Sequence, residues 1–186
     1  MAHVCPWWFV RSFDNPIRRL LYDPEQIFGD WVRPGMHVLD IGCGAGFNSE
    51  GLARLVGPDG LVVALDLQAH MLAMTRRRLE RVGLLERAEF VKSTANDLGL
   101  SKDPRFGFAV AFWMVHEVPN PENLFKQVRE VLNAGALLHI VEPKIHVGRD
   151  AFDASVEAAR RAGFSEKGRP RVALSRSAVL LRQGGD

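Results

Sequence analysis

Cysteine is almost absent from this 186-residue chain, which has only Cys5 and Cys43 and no pair spaced as Cys-x-x-Cys. Two isolated thiols cannot build a disulfide framework or a cysteine-rich zinc site. We therefore predict that the chain binds no metal. We also predict that it is cytoplasmic, because this cysteine usage suits a reducing compartment.

The chain also lacks a long apolar segment and a strong charge of either sign. No apolar run reaches the ~18 residues of a membrane span, and the aromatic stretch at 7–10 is too short for a secretory core. The formal net charge of +2 is too small to indicate a nucleic-acid partner. With 47% hydrophobic and 25% charged residues, the composition is that of an ordinary globular protein.

The most informative stretch is 37–47, where a short apolar run breaks into three alternating glycines. The run 38–41 reads Val-Leu-Asp-Ile, and it is followed by Gly42, Gly44 and Gly46. Helical spacing of apolar residues begins soon after, at 52–56. A buried strand that ends in a glycine-rich turn and opens a helix is the first half of a βαβ unit. Glycines in such a turn let backbone N–H groups approach a ligand closely.

A second apolar run, 61–65, ends in Asp66, which lies 20 positions after Gly46. A carboxylate at that strand end can accept two hydrogen bonds from a ribose diol. A nicotinamide-dinucleotide fingerprint would need glycine at position 47, where this chain has Phe47, and this disfavours a dehydrogenase. The pattern favours a ligand that contains a ribose but no pyrophosphate.

The segment 40–46 (Asp-Ile-Gly-Cys-Gly-Ala-Gly), together with Asp66, resembles the class I methyltransferases that depend on S-adenosyl-L-methionine (SAM). It is most similar to the small-molecule branch that includes the ubiquinone/menaquinone-biosynthesis methyltransferases. The likeness covers nearly the whole chain from about Trp31. It implies a single-domain, Rossmann-like α/β methyltransferase fold, with a mostly parallel seven-stranded sheet, helices on both faces and a C-terminal antiparallel hairpin. It also implies SAM as cofactor and S-adenosyl-L-homocysteine as product.

The resemblance also implies which residues form the donor site. Asp40 would stabilise the glycine loop or hold the methionine amino end, and Asp66 would hold the ribose hydroxyls. The family often has an acidic residue after the third strand for the adenine amino group, but this chain has Thr94 there, and Asn96, Asp97 or a backbone carbonyl could substitute. The expected cofactor contacts are Asp40, Gly42, Cys43, Gly44, Gly46, Asp66, Leu67, Thr94, Ala95 and Trp113.

The apolar run 106–115 is predicted to be the fourth, central strand. It is followed at 116–121 by His-Glu-Val-Pro-Asn-Pro, which resembles the His-x-Val-Pro-x-Pro stretch of the quinone-type methyltransferases. Open α/β sheets bind ligands at the carboxyl ends of their strands. Phe112, Trp113, His116 and Glu117 are therefore expected on the acceptor side. If the acceptor must lose a proton, His116 is the first candidate base, followed by Tyr22 and Glu117.

Hydrophobic periodicity predicts the remaining elements. Further strands are expected at 88–91 and 136–141, and helices at 69–82, 121–132 and 151–162, with 133–135 capping the second of these helices. The runs 171–174 and 178–181 are separated by three residues, a spacing that predicts the final hairpin.

Residues 1–30 are predicted to be an N-terminal helical arm, and residues 31–186 the SAM-binding domain. The arm carries an aromatic cluster at 7–9 and two short helices, the second beginning at Pro24. No insertion of 15 or more residues interrupts the later elements. The arm is therefore expected either to cover the sheet or to act as a lid that builds the acceptor pocket.

These observations predict a methyltransferase that transfers the methyl group of SAM to a small molecule by in-line displacement. One alternative is an RNA or protein methyltransferase that uses basic residues at 76–81 and 160–171, although no Asn-Pro-Pro-Tyr-like motif follows the fourth strand. Another alternative is a non-catalytic SAM-binding sensor or subunit. The identity of the acceptor and the oligomeric state are not specified by the sequence.

Overall fold

The computed structural model describes residues 22–103 and 105–184, which are built around a seven-stranded sheet. The strands are β1 (His37–Ile41), β2 (Leu61–Asp66), β3 (Ala88–Lys92), β4 (Phe106–Phe112), β5 (Leu132–Pro143), β6 (Phe164–Gly168) and β7 (Ser175–Arg182). Their spatial order is β3-β2-β1-β4-β5-β7-β6. Strands β1 to β5 pair in parallel, and β7 is antiparallel to both β5 and β6. The predicted mostly parallel, Rossmann-like sheet with a C-terminal hairpin is confirmed.

Helices cover both faces of this sheet. In the described part of the chain they are α1 (Pro24–Phe28), α2 (Phe47–Val56), α3 (Ala69–Arg81), α4 (Pro121–Val131) and α5 (Arg149–Arg161). The first three pack on one face, around Leu52, and the last two on the other, around Phe125. Because side chains alternate along a strand, the neighbours Val38 and Leu39 contribute to opposite cores. None of these helices combines the length and hydropathy needed to cross a membrane.

The strand order reverses between β1 and β4, and this creates a crevice at the carboxyl edge of the sheet. From β1 the chain proceeds through β2 to β3 on one side, then returns to place β4 on the other side of β1. Crevices at such reversals are the usual ligand sites of open α/β sheets. The topology therefore positions the glycine loop and the segment after β4 side by side.

The described part of the predicted arm packs against the sheet. Asp23 caps α1 by accepting the N–H of Glu25 at 3.0 Å, and Pro24 occupies the first turn, as predicted. Phe28 is fully buried, and its ring lies 5.9 Å from that of Phe108. The earlier helix and the aromatic cluster of the arm lie outside the described residues, and the division at residue 30 stays a prediction.

The fourth strand is shorter than predicted. It ends at Phe112 rather than at residue 115, because Trp113 has a left-handed backbone with φ 59°. Few non-glycine residues adopt this conformation, and it turns the chain out of the sheet. Residues Val115–Glu117 then form a short 3₁₀ helix, so the segment after β4 faces the crevice as a turn.

Residues 133–135 do not cap a helix, as the sequence suggested. Helix α4 ends at Val131, and these residues form the start of β5. The pairing of β4 with β5 shifts from Phe106↔Leu132 to Phe108↔Leu137, so the extra residues are absorbed in a bulge. Gly135 supplies the positive φ of 76° within that bulge.

The first strand of the final hairpin was also assigned wrongly. The partner of β7 is β6 (Phe164–Gly168), and the predicted strand at 171–174 lies in the connecting loop. The polar sequence Ser-Glu-Lys in β6 hid this edge strand from an analysis based on apolar runs. Leu174 has φ 50°, which is incompatible with regular strand geometry.

Candidate active site

The glycine loop connects β1 to α2 at the centre of the crevice. Gly42, Gly44 and Gly46 all have positive φ, at 70°, 55° and 80°. A Cβ atom on Gly46 would lie 2.7–2.9 Å from atoms of Thr75 on α3, so this position admits no side chain. A Cβ on Gly44 would meet nothing within 4 Å, so the middle of the loop borders open space. The loop is therefore packed at its end and accessible at its centre.

Asp66 fixes the shape of this loop from the end of β2. Its Oδ2 accepts the N–H of Gly44 at 3.0 Å, and its Oδ1 accepts the N–H of Gln68 at 2.8 Å. Burial raises the pKa of Asp66, and these backbone hydrogen bonds oppose the rise. An ionised carboxylate has about four acceptor positions, so each oxygen can still accept a further hydrogen bond.

Asp40 lies beneath the loop and is completely buried. Its Oδ2 accepts the hydroxyl of Ser49 on α2 at 2.5 Å, while its Oδ1 is buried without a hydrogen-bond partner. Burial raises the pKa of Asp40 to about 7, and the Ser49 hydroxyl opposes that shift. Buried polar atoms almost always have a partner, so the free oxygen indicates a ligand group or an ordered water at this point.

Cys43 is a buried residue of the glycine loop, and its backbone N–H donates to the carbonyl of Leu65 at 2.8 Å. The thiol is buried and lies 3.5 Å from the hydroxyl of Thr75, which itself donates to the carbonyl of Gly44 at 2.9 Å. Burial raises the pKa of Cys43 well above its usual range. A protonated, enclosed thiol of this kind is a packing group rather than a nucleophile.

The loop after β3 begins next to Asp66, because the N–H of Ser93 donates to the carbonyl of Asp66 at 3.1 Å. Thr94, exposed like its neighbour Ala95, accepts the N–H of Asp97 at 3.1 Å. This contact closes a tight turn. The carbonyl of Asn96 accepts the side-chain amide of Gln127 at 2.9 Å, and this ties the turn to α4. Leu67, 38% exposed, lies at the end of β2 on the same edge.

Trp113 links three parts of the acceptor side. Its backbone N–H donates to the carbonyl of Val141 on β5 at 2.7 Å, and its indole N–H donates to the hydroxyl of Ser175 on β7 at 3.1 Å. The Tyr22 ring meets the indole edge to face, with centroids 5.1 Å apart. Phe112 is buried beneath it, so this ring supports Trp113 rather than facing the crevice.

His116 forms a pair with Glu142, a residue near the end of β5. The imidazole Nδ1 lies 2.5 Å from Oε2 of Glu142, whose Oε1 accepts the backbone N–H of Val115 at 2.7 Å. Glu142 is completely buried, whereas the His116 side chain is 30% exposed. The hydrogen bond that the imidazole donates to Glu142 raises the pKa of His116, and partial burial opposes this rise. The imidazole is therefore oriented through one nitrogen and basic at the other.

Of the other two candidate bases, Glu117 lies close to this pair and Tyr22 does not. Oε1 of Glu117 is 4.0 Å from Nε2 of His116, and the His146 ring stacks on that of His116 with centroids 6.4 Å apart. Tyr22 is buried against Trp113, on the opposite side of β4 from the histidine pair.

Three residues of this site were not identified from the sequence. Glu142 carried a usable signal, since it is an acid at the carboxyl end of a strand beside β4. Ser175 carried no usable signal in the sequence, because the partner of its strand in the final hairpin was assigned wrongly. Met114 brings the two halves of the site together: a Cβ on Gly42 would lie 3.0 Å from its side chain.

A seven-stranded sheet of this order, with a glycine loop after β1 and an acid ending β2, defines a Rossmann-like, nucleoside-binding α/β protein. Residues 38–135 match the model of the Methyltransferase domain family. The chain belongs to this family and contains a SAM-dependent methyltransferase domain. The family predicted from the glycine loop and Asp66 is confirmed, and so is the cofactor.

Similar proteins include both curated sequences and a solved structure. The chain is 33% identical over 111 residues to the ubiquinone/menaquinone biosynthesis C-methyltransferase UbiE of Hahella chejuensis, a match that covers 60% of this chain and 44% of that protein. It is 31% identical over 150 residues to the ubiquinone biosynthesis O-methyltransferase of Cereibacter sphaeroides, with 74% and 58% coverage. These curated relatives are thus considerably longer than the matched part.

The crystal structure of a SAM-dependent methyltransferase from Aquifex aeolicus superimposes with a TM-score of 0.86 at 25% identity. This match covers 96% of this chain and 100% of that one. The arrangement of strands and helices described above is therefore that of an experimentally solved SAM-dependent methyltransferase.

Proposed function

We propose that this methyltransferase modifies a small-molecule acceptor and that His116 removes the proton that the acceptor loses. The observation that carries the proposal is the His116–Glu142 pair at the edge of the crevice. Met114, two residues before His116, lies against Gly42, so the basic imidazole is set close to the glycine loop. A base beside the methyl donor has a purpose only when an acceptor is activated there.

The residues of the glycine-loop side fit SAM. The open space at Gly44 can admit a ligand close to the loop backbone. Asp66 retains acceptor capacity for the ribose hydroxyls, and the unpartnered Oδ1 of Asp40 suits the methionine ammonium. Thr94 and Ala95, exposed in the turn beside Asp66, are positioned for the adenine.

When bound, SAM supplies a methyl group already activated on a sulfonium. The methyl group therefore needs no further activation. The protein has to position the acceptor, exclude water from it and remove its proton. Trp113 and Tyr22 form an aromatic wall that excludes water from one side of the crevice. Glu142 holds the imidazole through Nδ1 and stabilises its protonated form, leaving Nε2 to take the acceptor proton. Positioning of this kind contributes several kcal/mol to a displacement reaction.

Support for a small acceptor comes from the curated relatives, which are named for methylation in quinone biosynthesis. We extend that class, and not the particular acceptor, to this chain. The segment 1–21, predicted from the sequence to be a cover or a lid, lies outside the described residues.

The experiment is to incubate the protein with methyl-labelled SAM and an extract of the native organism, then separate small-molecule, protein and RNA fractions. We expect label in the small-molecule fraction, above the level given by the H116Q variant. Label in protein or RNA would contradict the proposed acceptor class. SAM binding without label in any fraction would indicate a sensor or a missing partner subunit.

A further inference from the structure

A second concavity lies after the end of β5, between the start of α5 and the loop that joins β6 to β7. Its volume is about 590 Å³. Because β7 is antiparallel to β5, Ser175 lies opposite Pro143, at the carboxyl edge of the sheet. Ser175 lines this cleft and accepts the indole N–H of Trp113. The cleft is therefore one side chain away from the acceptor side of the crevice.

The walls of this cleft are strongly cationic. The charged side chains that line it are Lys144, Arg149, Arg169, Arg171, Arg176 and Asp153. Five of these six are basic, although the whole chain has a formal net charge of only +2. The cleft is thus more positive than the chain as a whole.

Among the residues that the structure describes, most of these cations have no carboxylate partner. Arg169 is neutralised by Asp153 at 2.6 Å and by Glu166 at 2.9 Å. For the other four, no carboxylate within residues 22–103 or 105–184 lies within 4.0 Å. Arg176 is oriented by the carbonyl of Val147, which accepts its Nε–H at 3.1 Å. Such unpaired like charges repel one another, and an anion bound among them removes that repulsion.

We propose that the methyl acceptor carries an anionic group, a phosphate or a carboxylate, and that this cleft binds it. The inference rests on the proposed small-molecule function and specifies the chemistry of the acceptor. Arginine and lysine around a concave site recognise compact anions through charge-assisted hydrogen bonds. With the anionic end held in the cleft, the rest of the acceptor reaches past Ser175 and Trp113 towards His116.

An anionic lipid surface is the competing occupant, because Ile145 and Leu174 beside the cleft are 86% and 66% exposed. The small anion is favoured, since these cations line an open concavity rather than a flat face. Vesicle binding therefore has to be measured as a separate arm of the test.

The test uses inorganic pyrophosphate and citrate as probes, titrated by calorimetry into the full-length protein at low salt. We expect the double variant R149Q/R171Q to bind at least one probe about tenfold more weakly than the wild type, at roughly threefold for each exposed cation removed. The matched control R77Q/R81Q removes two exposed arginines from α3, outside the cleft, and should bind like the wild type. Melting temperatures verify that both variants fold.

If the wild type and R149Q/R171Q bind both probes with equal affinity, the proposal that the cleft binds an anionic acceptor is wrong. It would also be overturned if R149Q/R171Q lost binding only to phosphatidylglycerol vesicles. The labelled-SAM experiment separates this inference from the proposed function. If the small-molecule fraction is labelled but no probe binds in the cleft, only the proposal of an anionic acceptor is wrong. If the small-molecule fraction is not labelled, the proposed function itself is wrong.

Discussion

The two halves of the carboxyl edge satisfy their buried acids in different ways. In the glycine-loop half, formed by the ends of β1 to β3, Asp66 is held by backbone N–H groups of residues close to it in the fold, and one oxygen of Asp40 has no partner. In the histidine half, formed by the ends of β4 and β5 and the start of β7, Glu142 is matched by a side chain, His116. Asp66, the acid bordering the glycine loop, is thus held by backbone groups, whereas Glu142 accepts a backbone N–H and also pairs with a distant side chain.

This difference separates two kinds of task. A backbone-built loop suits a ligand that is the same for every member of a family, because its geometry depends on glycine and on little else. Side-chain pairs can be exchanged one residue at a time, so the histidine half can differ between relatives while the fold is retained. We expect substitutions in the first half to affect SAM binding or folding, and substitutions in the second to affect transfer.

The largest effect is expected for Gly46→Ala, which tests whether the loop depends on close packing. The new Cβ would overlap Thr75 in a left-handed backbone, and we expect a loss of about 3 kcal/mol in the free energy of unfolding. Gly44→Ala is the matched control, since its Cβ would meet no atom, and it should lose only about 1 kcal/mol. Urea unfolding measures both, and equal losses would contradict the packing argument.

Next is His116→Gln, which tests the assignment of transfer to the histidine half. Loss of the base should lower kcat about 100-fold while SAM affinity changes by less than about twofold. His37→Gln, at the exposed start of β1 on the opposite edge of the sheet, is the control. Stopped assays with labelled SAM measure kcat, and calorimetry measures SAM affinity. An equal loss of SAM affinity would place His116 in the donor site instead.

A smaller effect is expected for Asp66→Ala, which tests the glycine-loop half by binding alone. The variant removes the acceptor for two backbone N–H groups as well as for the ribose, so SAM affinity should fall about tenfold or more. Asp59→Ala removes an exposed acid from the turn before β2 and should bind SAM normally. Calorimetry measures the SAM affinity of both variants. An unchanged SAM affinity in Asp66→Ala would contradict the assignment of Asp66 to the ribose hydroxyls.

The smallest effect is expected in the pH profile of Glu142→Gln. His116 acts as a base when neutral, so kcat should increase as the pH rises through its pKa. Glu142 raises that pKa, so the variant should shift the acid limb of the profile to lower pH and lower the maximum rate. Rate measurements between pH 5 and pH 9 on the wild type and the variant test this. An acid limb that does not move would show that His116 is not the titrating group.

The sequence predicted the glycine-loop half well, because its signals are local. The glycines, Asp40 and Asp66 occur at fixed spacings around a strand and a turn, and they lie in the structure where that pattern requires. The histidine half depends on contacts between distant residues: Trp113 donates to Ser175, 62 positions later, and His116 pairs with Glu142, 26 positions later. Hydrophobic periodicity contains no information about such pairs.

The misassigned hairpin shows the same limitation at the level of strands. The edge strand β6 is polar, whereas the loop that follows contains the apolar residues Val172 and Leu174. Val172 is buried in the core that also holds Phe112, so its hydrophobicity reflects packing of a loop rather than a strand. That loop also forms one wall of the cationic cleft, which could not be located until the strand was placed correctly.

If Asp40 holds the donor as proposed, its buried carboxyl couples donor binding to a proton. Because its pKa is raised to about 7, a large fraction of the molecules carry a proton there at neutral pH. If Oδ1 accepts the ammonium of SAM, binding requires the ionised form, and the proton is released to solvent. Donor affinity then increases as the pH rises towards 7 and levels off above it. Under that proposal, the proton competes with the cofactor for Asp40.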